Sequence, residues 1–176
     1  MANYVYIATS LDGFIATADG GIDWLNDITN PDQSDYGFAE FMSGIDALVM
    51  GRNTFEKVIN FGVWPYDKPV FVLSHSITEL PEGMVGKAEI IKGEIHEVIT
   101  LLNKRGYNNL YIDGGKVIQS FLKEDLIDEL IITRIPILLG DGIPLFGKLD
   151  QNLKFKHVKT DTYNNMLVKS SYTRDR

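Results

Sequence analysis

The sequence predicts an α/β fold of about eight strands interleaved with helices. Short apolar runs rich in β-branched and aromatic residues recur along the chain, and several are followed by apolar residues at helical spacing. Glycine or polar clusters end three of these runs. Because the carboxyl ends of parallel strands line the ligand crevice of an open α/β sheet, we expect the three clusters to lie close together.

The composition limits the class of protein. A chain of 176 residues, 44% of them hydrophobic, can bury a substantial core, and we expect residues 1–176 to form a single domain. The net charge of -7 argues against nonspecific binding to nucleic acid or to an anionic membrane surface, so the expected partner is a small molecule. The chain shows neither a charged leader nor an apolar stretch of membrane-spanning length, which predicts a cytoplasmic protein.

The sequence offers no pattern for a metal site. It contains no cysteine, which excludes disulfides, thiolate ligands and a cysteine nucleophile. Its three histidines, His75, His96 and His157, are far apart in the chain. Their spacing matches no known arrangement of metal ligands.

A glycine-rich loop that carries Trp24 follows the first predicted strand, residues 4–10, and a turn at Asp12 and Gly13. Such a loop could be a mobile flap over a ligand. It could equally be an ordinary loop that Trp24 anchors to the core, and the residues alone favour this second interpretation.

Asp35 precedes an amphipathic helix, which is predicted by the helical spacing of Phe38, Phe41, Met42 and Ile45. On the projected helix Asp35 lies near the edge of the apolar stripe, where a carboxylate could work in a cleft. Aspartate at a helix start is also a common N-cap, which accepts hydrogen bonds from the first free amides. Position alone does not separate the two roles.

The next predicted strand, residues 46–50, ends at Gly51 and leads into a helix that Asn53 or Thr54 could cap. Arg52 lies beside the positive end of this helix, and a guanidinium in that place suits a phosphate group. A surface salt bridge would explain Arg52 equally well.

The run of residues 69–73 predicts a further strand, which ends in Ser74, His75 and Ser76. Two hydroxyl groups and an imidazole at the carboxyl end of a strand suit a polar ligand. A solvated turn would use the same residues.

Residues 110–122 predict a strand, a tight turn at Gly114 and Gly115, and a helix. Paired glycines let a ligand approach the main chain closely, and the amides that open the helix favour an anion such as a phosphate. Many α/β proteins turn on glycines for packing reasons alone, so the motif by itself is a weak signal.

The remaining elements complete the predicted sheet. Residues 88–91 form a short strand, residues 95–102 mark an amphipathic helix, and residues 129–139 form a long apolar run. Two strands at residues 153–159 and 166–173, joined by a turn near Asn164 and Asn165, predict an antiparallel hairpin.

Four motifs in this order, MGRNTFE, VFVLSHS, LYIDGGKVIQSFL and LIITRIPILLGDGIPLF, resemble the dihydrofolate reductase superfamily over essentially the whole chain. The motif SLDGFIA is closer to the branch that includes the carboxyl-terminal reductase domain of the bifunctional riboflavin-biosynthesis deaminase-reductase. The chain is most similar to the stand-alone bacterial dihydrofolate reductase family proteins of that branch. The resemblance implies a mixed eight-stranded sheet flanked by helices, and a homodimer as the plausible assembly.

The resemblance also implies NADPH as the cofactor, which delivers hydride to a pteridine or pyrimidine ring. It places Arg52, Ser74 and His75 at the 2′-phosphate and Lys116 at the start of the helix over the pyrophosphate. It further implies a cis peptide bond at the glycine pair. The cofactor-binding residues that match the family are Gly51, Arg52, Thr54, Ser74, His75, Gly114, Gly115 and Lys116.

Two acids compete for the catalytic role. Counting back from Gly51, Asp35 matches the acid with which dihydrofolate reductases hold the pteridine, and Trp24 resembles the tryptophan of their flexible loop. In the riboflavin branch an acid directly precedes the glycine pair, and Asp113 occupies that position as aspartate where glutamate is usual. The deaminase half of the bifunctional enzyme, with its zinc ligands, is absent.

The sequence therefore predicts an NADPH-dependent reductase with two competing substrates. Asp35 favours dihydrofolate, whereas SLDGFIA and Asp113 favour the ribosylaminouracil phosphate of riboflavin synthesis. The alternative from another class is a nucleotide-binding module with little turnover.

Overall fold

An eight-stranded mixed sheet forms the centre of the molecule. It is seen in a computed structural model that describes all 176 residues. Neighbouring strands are parallel except for the two pairs that involve the last strand of the chain. In spatial order the strands are β5 (Ala88–Ile91), β4 (Val70–Leu73), β3 (Ala47–Gly51), β6 (Asn109–Asp113), β1 (Ala2–Thr9), β7 (Glu129–Arg134), β10 (Leu167–Arg174) and β9 (Phe155–Tyr163).

Four α-helices and a second, small sheet surround the central sheet. The longest helix has 10 residues, and no helix combines the length and apolarity that crossing a membrane requires. The helices are α1 (Phe38–Ser43), α2 (Arg52–Ile59), α3 (Ile95–Lys104) and α4 (Gly115–Lys123). The small sheet pairs β2 (Phe14–Ala16) with β8 (Ile143–Pro144), and a 3-10 helix spans Asp23–Leu25.

The helices cover the two faces of the central sheet in pairs. Side chains alternate along β3, so Leu48 and Met50 pack with α1 and α2, whereas Val49 packs with α3 and α4. The core on the α3 and α4 side is the larger, with 16 buried residues, and includes Phe121 of α4 with no exposed surface. The predicted α/β class with a mixed eight-stranded sheet is confirmed.

The structure corrects two local predictions. The apolar run 129–139 is not one strand, because β7 ends at Arg134 and Pro136 has no amide to continue the ladder. Beyond it, the amide of Ile137 donates to the carbonyl of Ile135 at 2.8 Å, which is a tight turn. The helix after β3 has Gly51 as its N-cap and no side-chain cap, so neither Asn53 nor Thr54 caps it as predicted.

The predicted hairpin at the carboxyl terminus is confirmed. Strands β9 and β10 pair antiparallel, and the turn contains Asn164 and Asn165, both with φ of 53°. Asparagine tolerates this left-handed conformation better than most residues do.

We expect Phe121→Ala to lower the free energy of unfolding by about 3–5 kcal/mol, because it removes a fully buried ring from the larger core. Denaturant unfolding followed by circular dichroism measures the change. Leu101→Ala on α3, where the side chain is 39% exposed, is the control and should cost much less. Equal losses of unfolding free energy in the two variants would contradict the assignment of Phe121 to the buried core.

Candidate active site

The carboxyl ends of β4, β3 and β6 lie side by side at one edge of the sheet. Gly51 is opposite Leu73 of β4 in the β3 ladder, and Met50 is opposite Asp113 of β6. The three clusters that follow these strands therefore meet, as the sequence predicts for parallel neighbours. They are the start of α2, the turn after Leu73, and the glycine pair at the start of α4.

Two of the clusters are joined by a direct contact. The Arg52 guanidinium (Nη1) donates to the Ser76 hydroxyl at 3.3 Å, and its Nε lies 3.4 Å from a Glu56 carboxylate oxygen. The Arg52 side chain is 48% exposed, so this ion pair is weak and leaves the guanidinium accessible. Arg52 thus forms the salt bridge that one interpretation predicts, and it also lies beside the strand ends, as the phosphate interpretation requires.

The turn after β4 is organised by Ser74. Its buried hydroxyl accepts from the amides of Ser76 and Ile77, at 3.3 and 3.2 Å. His75 is exposed on the same turn. The arrangement leaves the Ser76 hydroxyl beside Arg52. The strand-end pattern predicted Ser76 as part of a polar cluster, although Ser76 is not among the residues that match the family.

The backbone conformation requires glycine at the first position of the pair, and glycine at the second allows close packing against a side chain. Gly114 has φ of 91°, and a Cβ there would run into the Thr54 hydroxyl of α2. A Cβ on Gly115 would lie 2.8 Å from Cδ1 of Ile15. All peptide bonds are trans, so the cis bond that the resemblance implies at this pair is not found. The pair lets α2, α4 and the small sheet approach one another.

Helices α2 and α4 begin in the same way. Neither has a side-chain cap or an acidic residue in its first turn. Instead α2 begins with Arg52, and Lys116 is the second residue of α4 and is exposed. A cation at the positive end of a helix is unfavourable on its own, and the free amides of the first turn need acceptors. Both helix starts are therefore suited to anions.

The SLDGFIA segment covers the glycine pair through the small sheet. The Asp12 carboxylate accepts from the Gly140 amide at 2.8 Å and from the Ser10 hydroxyl at 2.6 Å. These bonds lower the pKa of Asp12, the Ser10 hydrogen bond most, and partial desolvation opposes them. Asp12 thereby ties the turn after β1 to the loop before β8, and the motif has a structural role.

Asp113 is the acid with the most perturbed environment at this edge. It ends β6, it is partly buried, and the Gly114 amide donates to its carboxylate at 2.8 Å. Burial raises the pKa of Asp113 from 3.8 to about 6, and the Gly114 hydrogen bond opposes this rise only in part. A carboxyl group that titrates near 6 can hold or release a proton near neutral pH.

A chain of tyrosines connects β6 to the segment before α1. The Tyr111 hydroxyl donates to the Tyr6 carbonyl at 2.8 Å, and the Tyr6 hydroxyl donates to the Tyr36 carbonyl at 3.0 Å. Tyr6 also stacks on Phe41 of α1 with ring centroids 4.7 Å apart. This aromatic face lies on the same side of the sheet as Asp113, because Asp113 and Tyr111 are two residues apart on β6.

Asp35 does not lie on a helix. It precedes α1 by three residues and is exposed, and its two carboxylate oxygens accept from the amides of Gly37 and Ala39, each at 2.9 Å. These backbone bonds, that from Ala39 first, lower the pKa of Asp35. The capping interpretation of Asp35 thus describes its observed contacts, and its projected place on the helix face is wrong.

Trp24 lies in the 3-10 helix and is 7% exposed. It forms a small buried cluster with Ile135 and Leu167, so in this structure the loop is anchored as the residues alone indicated. Its indole Nε1 is buried without a hydrogen-bond partner.

Two surface hollows flank these elements. One of about 410 Å³ lies between the loop at Asp19 and Gly20 and the Asn53 and Lys57 face of α2, next to the glycine edge. The other, of about 540 Å³, lies at the opposite end of the sheet, where it includes Val70 and Ala88, the first residues of β4 and β5. The first hollow shares helix α2 with Arg52 and Thr54.

Two proteins of known sequence or structure are similar to this chain over most of its length. A 52% identical structure, a candidate riboflavin biosynthesis protein from Shewanella sp. PV-4, superposes with a TM-score of 0.97 and covers 100% of both chains. The protein YwjB of Bacillus subtilis (strain 168), itself uncharacterized, is 38% identical over 86% of each chain.

More distant structures share the fold at low identity. The diaminohydroxyphosphoribosylaminopyrimidine deaminase/5-amino-6-(5-phosphoribosylamino)uracil reductase of Thermotoga maritima has a TM-score of 0.77 at 17% identity, over 99% of this chain and 56% of that one. Dihydrofolate reductase from Enterococcus faecalis, complexed with NADP(H) and RAB-propyl, has a TM-score of 0.70 at 19% identity, over 99% and 97%.

The fold is thus the one that the dihydrofolate reductase and RibD reductase structures share. The model of the RibD C-terminal domain family matches residues 4–169, and the chain belongs to that family. The resemblance stated from the motifs is confirmed.

We expect Asp113→Asn to stabilise the protein at pH 8 by on the order of 2 kcal/mol, since the variant no longer buries a charge. The pKa of Asp113 is raised on folding, so the native state binds more protons than the unfolded state between pH 3.8 and about 6. Wild-type stability from this group therefore falls as the pH rises through that window. Denaturant unfolding of the wild type and the variant at pH 4 and pH 8 measures the two free energies of unfolding.

The stability difference between Asp113→Asn and the wild type should shrink towards zero at pH 4, where the carboxyl is largely protonated. The control is Asp141→Asn, whose side chain is on an exposed loop. A difference that does not change with pH would contradict the raised pKa of Asp113.

Proposed function

We propose that this protein is an NADPH-dependent reductase that reduces a C=N bond in a pyrimidine- or pteridine-derived substrate. The observation that carries the proposal is the pair of helix starts at adjacent strand ends. Both α2 and α4 lack an N-cap side chain and an acid in the first turn, and both carry a basic residue there. Two such starts side by side suit a ligand with more than one phosphate group.

The residues at the glycine edge fit the pyrophosphate of a dinucleotide. Gly114 and Gly115 have no side chains to keep a ligand from the first amides of α4, and the Thr54 hydroxyl lies directly beside Gly114. Lys116 adds a positive charge in the first turn of the helix. We assign these groups, with Gly51 at the start of α2, to the pyrophosphate half of the cofactor site.

The second anionic group of the cofactor fits at Arg52. An adenosine 2′-phosphate there would meet a guanidinium that is half exposed and the hydroxyl of Ser76. Ser74 fixes the turn, and His75 is exposed on it. We assign Arg52, Ser74, His75 and Ser76 to this phosphate, which favours NADPH over NADH.

The bound cofactor would supply a hydride to the carbon of the C=N bond, which in the ribosylaminouracil phosphate is the imine that forms when the bond between C1 and the ring oxygen of the ribose breaks. The nitrogen of that bond must gain a proton, and Asp113 is the group in position to hold one, because its pKa lies near 6 and it ends the strand beside the glycine pair. The protein's own contribution is then to bind the two reactants, keep water from them and hold this proton.

Of the two substrates, the ribosylaminouracil phosphate is favoured by the contacts of the two acids. Each carboxylate oxygen of Asp35 already accepts a backbone amide in an exposed turn, so a pteridine amidine would compete with water for the remaining lone pairs. Asp113 is partly buried at the strand end. We therefore propose Asp113 as the catalytic acid and the uracil compound as the substrate class, with dihydrofolate as the second candidate.

We expect Arg52→Ala to weaken NADPH binding roughly tenfold or more and to leave NADH binding nearly unchanged, because a charge-assisted hydrogen bond to phosphate is worth about 1.5–3 kcal/mol. Isothermal titration calorimetry with both nucleotides measures the two affinities. Arg105→Ala, which removes an arginine paired with Glu89 on another part of the surface, is the control. Equal losses of affinity for NADPH and NADH would contradict the assignment of the 2′-phosphate to Arg52.

We expect kcat/KM with the uracil substrate to fall as the pH rises above about 6, since the protonated form of Asp113 is the active one. Asp113→Asn should lower turnover by roughly a hundredfold or more. Asp35→Asn should change turnover little, because Asp35 lies outside the proposed chemistry and the single amide oxygen of asparagine keeps one of the two backbone hydrogen bonds. NADPH oxidation followed at 340 nm measures all three proteins.

The reverse ranking of Asp35→Asn and Asp113→Asn, with dihydrofolate as the better substrate, would restore Asp35 as the catalytic acid. Tight NADPH binding without turnover of either substrate would favour the nucleotide-binding module. The single domain and the homodimer stay predictions.

A further inference from the structure

Several aspartates in this chain are followed directly by glycine, and one of them is the proposed catalytic acid. In such a dipeptide the glycine nitrogen can attack the side-chain carbonyl carbon of the aspartate, because glycine has no side chain to crowd the ring that forms. The structure separates the pairs by what each carboxyl group contacts. The pairs are Asp12-Gly13, Asp19-Gly20, Asp113-Gly114 and Asp141-Gly142.

At Asp113 the carboxyl group lies directly against the nitrogen that would attack it. The Gly114 amide nitrogen is 2.8 Å from Oδ1 of Asp113. Gly114 lies between β6 and α4, and the first bond within α4 runs from the Ile118 amide to the Gly114 carbonyl. The Gly114 amide therefore takes part in neither the sheet ladder nor the bonds of the helix, and the backbone bonding of these elements does not hold its nitrogen away from the carboxyl group.

Two of the other pairs have a different geometry. The Asp12 carboxylate accepts from the Ser10 hydroxyl and the Gly140 amide. The Asp19 carboxylate accepts from the Gly21 amide, two positions further along the chain. Neither carboxylate accepts from the glycine that follows it, so neither is aligned with the nitrogen that would attack it.

Protonation is the second requirement, because the carboxyl group must lose one oxygen as water when the ring closes. Burial raises the pKa of Asp113 from 3.8 to about 6, so its protonated fraction at neutral pH is on the order of a hundredfold larger than that of an ordinary aspartate. Asp141 has the same contact, with the Gly142 nitrogen 2.8 Å from Oδ1, but its side chain is on an exposed loop. Asp113 alone combines the contact with burial.

We propose that Asp113 and Gly114 form a self-modification site, at which the chain closes a succinimide ring and reopens it partly as isoaspartate. The Gly114 nitrogen bonds to Cγ of Asp113 and gives up its proton, the bond from Cγ to the carboxyl hydroxyl breaks, and one water molecule leaves. A second water molecule then opens the ring. Opening at the side-chain carbonyl restores aspartate, and opening at the main-chain carbonyl leaves the backbone running through Cγ, which is isoaspartate. The sequence of steps needs no oxidant or reductant.

The modification would displace the acid from the end of β6. In isoaspartate the backbone gains one carbon and the free carboxyl group is attached to Cα, so it no longer reaches the place of the Asp113 side chain. The effect on turnover rests on the proposed function, whereas ring formation does not. Glutamate at this position would have to close a larger, six-membered ring, which forms far more slowly.

The test uses the purified wild-type protein, stored at neutral pH in water enriched in heavy oxygen. Each ring opening adds one oxygen atom from water, so mass spectrometry of the digested protein counts the openings at all four pairs in one sample. We expect heavy oxygen to accumulate at Asp113 roughly tenfold or more faster than at Asp141, and to accumulate most slowly at Asp12 and Asp19. Fragmentation by electron transfer should identify isoaspartate at position 113.

Two controls separate the fold from the local sequence. In denaturant the four pairs should react at similar rates, because the contacts and the burial are lost. Asp113→Glu should abolish the uptake of heavy oxygen at position 113 and leave the uptake at Asp141 unchanged. Equal rates at Asp113 and Asp141 in the folded protein, or a lead of Asp113 that persists in denaturant, would overturn the inference.

Turnover of NADPH, measured in the same stored samples, tests the proposed function separately. We expect it to fall in step with the isoaspartate fraction at position 113. Full turnover by protein that carries isoaspartate there would contradict Asp113 as the catalytic acid and leave the modification site standing.

Discussion

Two helix starts at neighbouring strand ends define the chemistry of this protein. Parallel pairing of β3 with β6 brings the first turns of α2 and α4 together, and the glycine pair lets the two helices approach until Thr54 touches Gly114. Neither start has a capping side chain, and each carries a basic residue. In isolation this arrangement is unfavourable, because free amides and cations repel at the positive ends of the helices. An anionic ligand removes the conflict, which is why the account assigns phosphate groups to this edge.

The second constraint is the burial of Asp113 beside that edge. A carboxyl group that ends a strand and receives one amide hydrogen bond stays partly desolvated, so its pKa rises to about 6. Asp35 has the opposite environment, since it is exposed and both of its oxygens accept backbone amides. From the difference in solvation and bonding we propose proton transfer for Asp113, whereas the contacts of Asp35 are those of a cap on the amides of Gly37 and Ala39.

The sequence predicted the sheet and the meeting of the three strand ends well, for physical reasons. Alternating burial along β3 and the glycines after β6 are local signals, and parallel neighbours must align their carboxyl ends. Asp35 shows where local signals fail, because counting residues from Gly51 assumed a helix that in fact begins at Phe38. The hydrogen bond from Lys169 to the Tyr36 carbonyl was not predicted, because it joins residues 133 positions apart and no local pattern contains such a contact.

The most direct test of the account follows the hydride itself. The purified protein would be given 5-amino-6-(5-phosphoribosylamino)uracil and NADPH deuterated at C4 of the nicotinamide, and the product examined by mass spectrometry and NMR. The account predicts one deuterium on the carbon of the former C=N bond and an equal amount of NADP+. Unchanged NADPH, with no deuterium transferred to this compound, would contradict the assignment of the uracil compound as the substrate.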